Sequence, residues 1–150
     1  MIERFGIDVF REGTEMLLDH AEKQARRIIR KIPNGEYFFA DYMDEDSVDG
    51  YPCRIAVNMV VKDEEIIFDF SESDPQVTAS LNIPTGGNPR HVLLMIPYQY
   101  VLSTMEPSVR LNYGLLRPAS SIIPEGSLVN PKKPPAVGMR SLGVMRLQSW

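Results

Sequence analysis

The sequence predicts an α+β fold: a long N-terminal helix packed on an antiparallel sheet of three or more strands, then a kinked buried helix and a loop-rich C-terminal tail. Three observations predict it. Apolar residues recur at three- and four-residue steps over the first thirty positions. Apolar and polar residues alternate in segments between 37 and 71, and prolines and turn signals dominate after Met105.

The helix comes first. Phe10, Thr14, Leu17, Ala21, Ala25, Ile28 and Ile32 form a stripe that asks to be buried. Acidic residues early (Glu12, Glu15, Asp19) and basic residues late (Arg26, Arg27, Arg30, Lys31) suit the helix dipole, and Pro33-Asn34-Gly35 ends the helix. Three strands follow over residues 37–42, 54–61 and 66–71, the last two separated by the polar turn Lys62-Asp63-Glu64-Glu65. Between the first two lies Asp44-Glu45-Asp46-Ser47-Val48-Asp49-Gly50. It is read as a solvated turn, because Val48 and a late glycine break the calcium-loop pattern.

Thr85-Gly86-Gly87-Asn88-Pro89 leads into the second helix, with Asn88 expected as N-cap and Pro89 as the first helical residue. Residues 90–104 are apolar nearly all round, which predicts burial, with a kink at Pro97. Beyond Met105 turns are expected at Asn112-Tyr113-Gly114 and Pro124-Glu125-Gly126-Ser127, a short strand at 120–123, and an extended connector at 131–135. Leu142 and Met145 begin an amphipathic pattern that stops at Trp150, so residues 1–150 are read as a single domain truncated after about residue 140.

Composition narrows the function classes. A chain of 150 residues can bury about 68–70% of its unfolded surface and needs no disulfide, consistent with the lone Cys53. That cysteine and an N-terminus without an apolar secretory run lead us to expect a cytoplasmic protein. The longest apolar run, 92–102, is interrupted by Pro97 and falls short of the ~17 residues that span a bilayer, so no membrane role is expected. The net charge of −4 is uneven, −9 over residues 1–87 and +5 over 88–150. The seven C-terminal cations are scattered without interleaved aromatics, so nucleic acid is not expected as a partner; either the two parts attract one another or the basic part meets an acidic partner.

No self-contained catalytic set is visible, and no residue is assigned a catalytic role. His20 and His91 stand alone, with no metal-ligand spacing, and are read as surface or capping residues; Cys53 has no identifiable base. The stretch at 66–84 carries the most suggestive chemistry, a strand that exits into the polar turn Ser71-Glu72-Ser73-Asp74-Pro75. Asp69 and Asp74 are its notable carboxylates. They are read either as ligand binders or, respectively, as a solvent-facing strand residue and an Asx-turn former.

A string of motifs then resembles an internal segment of the hydantoinase B family. They are Ile32-Pro33-Asn34-Gly35-Glu36-Tyr37 with Asp41 to Asp49 after it, Asp69-Phe70-Ser71 with Ser73, Gln76 and Asn82-Ile83-Pro84, Asn112-Tyr113-Gly114, and Arg117-Pro118. After these come Pro124 through Pro131 and Pro134-Pro135-Ala136-Val137-Gly138-Met139-Arg140-Ser141. The family includes the B subunits of hydantoin- and N-methylhydantoin-hydrolysing enzymes, part of 5-oxoprolinase, and subunits of acetone and acetophenone carboxylases.

The resemblance implies a fragment of an ATP-dependent cyclic-amide hydrolase that is inactive alone. It would work with a hydantoinase A-type subunit and the remainder of the B subunit on a small cyclic amide. ATP and a divalent metal are implied for the full complex, with neither cofactor nor metal held by this chain. Asp69, Ser71, Gln76 and Asn82 are the implied substrate-binding residues, and Asn112 and Glu125 the implied loop supports. The alternatives are a segment of a ketone carboxylase subunit, or a non-catalytic assembly module.

Overall fold

The computed structural model describes residues 2–43, 48 and 50–138. Two helices, α1 (Ile2–Phe5) and α2 (Ile7–Ile29), meet at Gly6, whose φ of 82° suits glycine. Strands β1 (Gly35–Met43), β2 (Cys53–Lys62) and β3 (Glu65–Asp69) follow, then α3 (Val92–Met105), a 3-10 helix at Tyr113–Leu116 and β4 (Ala119–Ile122). The α+β class holds.

The sheet runs β1-β2-β3-β4. β1 and β2 pair antiparallel from Gly35↔Val61 to Met43↔Cys53, and β2 pairs antiparallel with β3. The turn between β2 and β3 is tied to the turn that joins α2 to β1. Asp63, at φ 54°, donates its N–H to Asn34 Oδ1 at 2.8 Å and accepts from Asn34 Nδ2 at 3.1 Å. β4 makes the sheet mixed where an antiparallel one was expected, by pairing parallel with β3, Ile66↔Ala119 to Asp69↔Ile122. The segment between them, including α3, is long enough to carry the chain back to the start of β3, as a parallel pair requires.

One face of the sheet makes the core. Ile55, Val57, Val61, Ile66 and Phe68 are buried there with Ala21, Ala25, Ile28 and Ile29 of α2 and Leu94, Met95, Tyr98 and Leu102 of α3. Phe68 meets Tyr98 edge to face with ring centroids 6.1 Å apart.

Three expectations are corrected. The α2 stripe is buried only at its C-terminal end, for Ala21, Ala25 and Ile28 are covered while Phe10 and Leu17 are exposed. α3 is not buried all round, since Val92 and Tyr100 face outward. Its N-cap is His91, which accepts from Leu93 N–H, and not Asn88, whose side chain closes a turn on Arg90 N–H at 2.9 Å. Pro97 stands inside α3, where it removes a backbone donor. The amphipathic pattern after residue 140 and most of the acidic 44–50 turn lie outside the described residues.

Candidate functional site

β2 is longer than β3, and its remaining edge is completed by Ser73 and Asp74. Beyond Asn58↔Asp69 the β3 strand ends, leaving the groups of Ala56 and Arg54 without a strand to pair with. Ser73 takes over at Ala56: its Oγ accepts from the Ala56 N–H at 3.0 Å and donates to the Ala56 carbonyl at 2.8 Å. Asp74 does the same for Arg54, accepting the Arg54 N–H on Oδ2 at 2.7 Å and donating its own N–H to the Arg54 carbonyl at 3.0 Å. The loop leaving β3 is thereby held against β2.

Residues 123–130 brace this loop from the other side. Leu128 N–H donates to the Asp74 carbonyl at 2.9 Å, Gln76 N–H to the Gly126 carbonyl at 2.8 Å, and Ile83 N–H to the Leu128 carbonyl at 2.8 Å. The Thr85 hydroxyl donates to the Val129 carbonyl at 2.7 Å in a buried setting. The bracing turn is itself closed by Asn130, whose carbonyl accepts from Gly126 N–H at 2.8 Å and whose Nδ2 donates to the Ile123 carbonyl at 3.2 Å.

Two open clefts flank this knot. One, of about 300 Å³, is lined by Tyr51, Pro52, Cys53 and residues Asp74, Pro75, Gln76, Val77 and Thr78. The other, of about 290 Å³, is lined by Gln76, Val77, Thr78, Pro134, Pro135 and Ala136. Gln76, Val77 and Thr78 form the wall common to both.

The residues singled out from the sequence fall in three places. Asp69 and Ser71 share a turn, in which Asp69 Oδ1 accepts the Ser71 N–H at 2.8 Å. Gln76 is exposed at the shared wall and accepts the Lys132 N–H on Oε1 at 2.6 Å. Asn82 is fully buried behind it. Its Oδ1 accepts from Val77 N–H at 3.0 Å, and its Nδ2 donates to the carbonyls of Val77, Ala79 and Ala136. Glu125 is exposed on the bracing turn, next to the Gly126 carbonyl that holds Gln76. Asn112 lies apart from this group, capping the 3-10 helix through Gly114 N–H at 2.8 Å and donating to the Leu17 carbonyl at 3.3 Å.

Sequence reasoning gave little weight to two arginines. Arg90 Nε donates to the carbonyls of Leu116 and Ala119, both at 3.0 Å, which ties the start of α3 to β4. Arg117 meets Glu15, Asp19 and Glu22 of α2 at 2.9, 2.5 and 3.3 Å. Those three pairs realise the attraction between the acidic and basic parts of the chain. The signal was the charge asymmetry, but spacing cannot say which cation answers which carboxylate.

Glu22 also accepts from Arg26, and that hydrogen bond, opposed by burial, holds its carboxyl below the usual range. Burial raises Tyr98, whose hydroxyl donates to the Leu115 carbonyl at 2.8 Å. Among the described residues no group of three or more His, Cys, Asp or Glu converges to hold a metal ion. No described helix is long and apolar enough to cross a membrane.

Comparison with known proteins agrees with this picture. The family described as hydantoinase B/oxoprolinase matches residues 1–149. The putative D-/L-hydantoinase B subunit of Pseudomonas sp. strain NS671 is 32% identical over 137 residues, covering 87% of this chain and 23% of that protein. The 5-oxoprolinase of Dictyostelium discoideum is 26% identical over 144 residues, 91% of this chain and 11% of that one. The crystal structure of the ATP-dependent caprolactamase from Pseudomonas jessenii superposes on 98% of this chain at a TM-score of 0.78 and 25% identity, using 25% of its own chain. This chain therefore spans about a quarter or less of these relatives' lengths. With nearly every residue inside the match, the chain belongs to the hydantoinase B/oxoprolinase family.

Proposed function

We propose that this chain supplies one wall of the substrate site in an ATP-dependent cyclic-amide hydrolase of hydantoinase B type. In this reading it acts together with the rest of a B polypeptide and an A-type subunit. The observation that carries the proposal is the superposition of 98% of the chain on the ATP-dependent caprolactamase at a TM-score of 0.78. In this reading ATP and a divalent metal serve the full complex. A cytoplasmic assembly agrees with the single, buried Cys53.

Within that assembly the exposed Gln76 presents its side-chain amide at the wall between the two clefts, where a ring amide has complementary donors and acceptors. Ser71 is exposed at the exit of β3, on the turn closed by Asp69. Asn82 fixes the Gln76 wall from behind by binding both polar groups of the Val77 backbone. A site so held keeps its polar groups oriented before the substrate arrives, which is the condition for efficient orientation.

The reading is tested by turnover. The purified chain should open neither hydantoins nor 5-oxoproline and should not hydrolyse ATP; turnover by the chain alone overturns the proposal. In a reconstituted complex, Asp69→Asn and Gln76→Ala should lower turnover while assembly is unchanged. Gln76→Glu is the sharper variant, since it keeps the acceptor for Lys132 and changes only what the cleft meets. Full activity in all three favours a purely structural module.

A further inference from the structure

On α2 the residues Ile7, Phe10, Thr14, Leu17, Ala21, Ala25 and Ile28 fall on one side of the helix, within about 80° of one another at 100° per residue. The stripe is continuous, but its environment changes halfway along. Ala21, Ala25 and Ile28 are completely buried against the core, whereas Ile7, Phe10 and Leu17 are 43%, 40% and 66% exposed. Val9 and Met16 widen the bare part on one side, and Ile2 and Phe5 of α1 extend it. The result is an apolar arm about 16 Å long over residues 7–17 whose apolar side chains the fold leaves exposed.

A contiguous bare apolar surface of this kind marks an interaction site. The arm would also be marginal as a helix by itself, because a segment of its length gains too little from propensity alone. Its acidic side is already engaged, since Glu15 and Asp19 hold Arg117, so the apolar side is the one left to be covered.

We propose that the arm docks against an apolar surface of the hydantoinase B polypeptide lying outside the matched quarter, and that this is how the segment is seated in its assembly. The inference rests on the family reading given above and deepens its partner. The match with the caprolactamase includes 98% of this chain, and hence the arm, while three quarters of that protein's chain lies outside the match. A long stretch of polypeptide is therefore present beside the same fold in the relative, and it is the natural cover for a stripe that this chain leaves half bare. A second copy of the chain is the competing occupant.

Hydrogen exchange decides between them. Arm amides are followed in the free chain, and again in the Pseudomonas sp. hydantoinase B polypeptide with its matched stretch replaced by this chain. The arm should exchange freely in the free chain and ~100-fold more slowly in the graft, with Phe10→Ser plus Leu17→Ser restoring fast exchange. The paired substitution removes no buried side chain, so the core amides of β2 should stay protected. Fast arm exchange in a graft whose β2 amides are protected overturns the proposal. So does an arm already slow in a free chain that sediments at twice its mass, since a second copy is then the cover. The intact Pseudomonas polypeptide needs no graft and serves as the second measurement: fast exchange in its counterpart of residues 7–17 also overturns the proposal. Turnover of the Gln76 variants reads the proposed function, and arm protection reads the docking, so either can fail without the other.

Discussion

Gly114 lies so close to Leu18 that a β-carbon built on it would stand 2.1 Å from the Leu18 carbonyl oxygen. Backbone meets backbone here, and neither partner can swing aside. This is how the 3-10 helix sits down on α2, and Asn112 reinforces the contact by donating to the Leu17 carbonyl.

Gly114→Ala should therefore cost about 3 kcal/mol or more, measured by urea unfolding, with a fall in Tm of ~10 °C. Gly13→Ala is the control. Its β-carbon would meet nothing within 4 Å, and replacing a helix-interior glycine should raise helicity in far-UV circular dichroism and add about 0.5–1 kcal/mol to the local helix. Equal behaviour of the two variants would refute the close-approach account.

Ser73→Ala should cost about 1–3 kcal/mol, because it strands the N–H and carbonyl of fully buried Ala56. Asp74→Asn, which keeps an acceptor for Arg54 N–H, should be milder than Asp74→Ala. Amide exchange at Ala56 and Arg54 separates the two sites, each speeding only in its own variant.

Asn82 offers a test of buried polar satisfaction. Asn82→Ala leaves unpaired the Val77 N–H and the carbonyls of Val77, Ala79 and Ala136 that share its side chain, and should cost about 3 kcal/mol or more. Asn82→Asp keeps an acceptor but sets a carboxyl among three carbonyl oxygens, which favour its protonated form. The folded-state pKa of that carboxyl then lies above its unfolded value, so the variant should gain stability relative to wild type as pH falls from 7 to 5 in paired denaturant titrations.

His91 predicts a pH dependence in the wild-type chain. Burial lowers its pKa below the ordinary 6.5, and its neutral ring nitrogen caps α3 by accepting from Leu93 N–H. As pH falls through 6.5 the unfolded chain takes up the proton first, so the contribution of His91 is intact above that value and is lost as pH drops toward the depressed folded pKa. His91→Asn keeps a capping side chain without the titration and should flatten this part of the stability profile. An unchanged slope in that variant would place the sensitivity elsewhere.

The secondary structure was largely legible because local rules decided it. Alternation marked β2 and β3, the aromatic run Tyr37-Phe38-Phe39 marked β1, and Pro33-Asn34-Gly35 marked the end of α2. The parallel pairing of β4 was not legible, since Ala119-Ser120-Ser121-Ile122 has no alternation strong enough to name a neighbour; its partner is fixed by the course of the chain through α3. The bare end of α2 was hidden for a related reason. Periodicity shows that a stripe exists and says nothing about whether this chain covers it. At the candidate site the resemblance drew attention to Gln76 and Asn82 but could not separate a cleft-facing side chain from a buried brace. That difference depends on the backbone carbonyls that surround Asn82.

The hydroxyl of Ser73 and the carboxylate of Asp74 have a consequence for the chain's behaviour in company. An open strand edge is a template on which another molecule can add a strand, and the Cys53 end of β2 would otherwise present one where β3 has stopped. Occupied by the Ser73 hydroxyl and by the carboxylate and N–H of Asp74, that edge has no consecutive run of free donors and acceptors to recruit a stranger. Two small polar residues thus guard the sheet against mispairing.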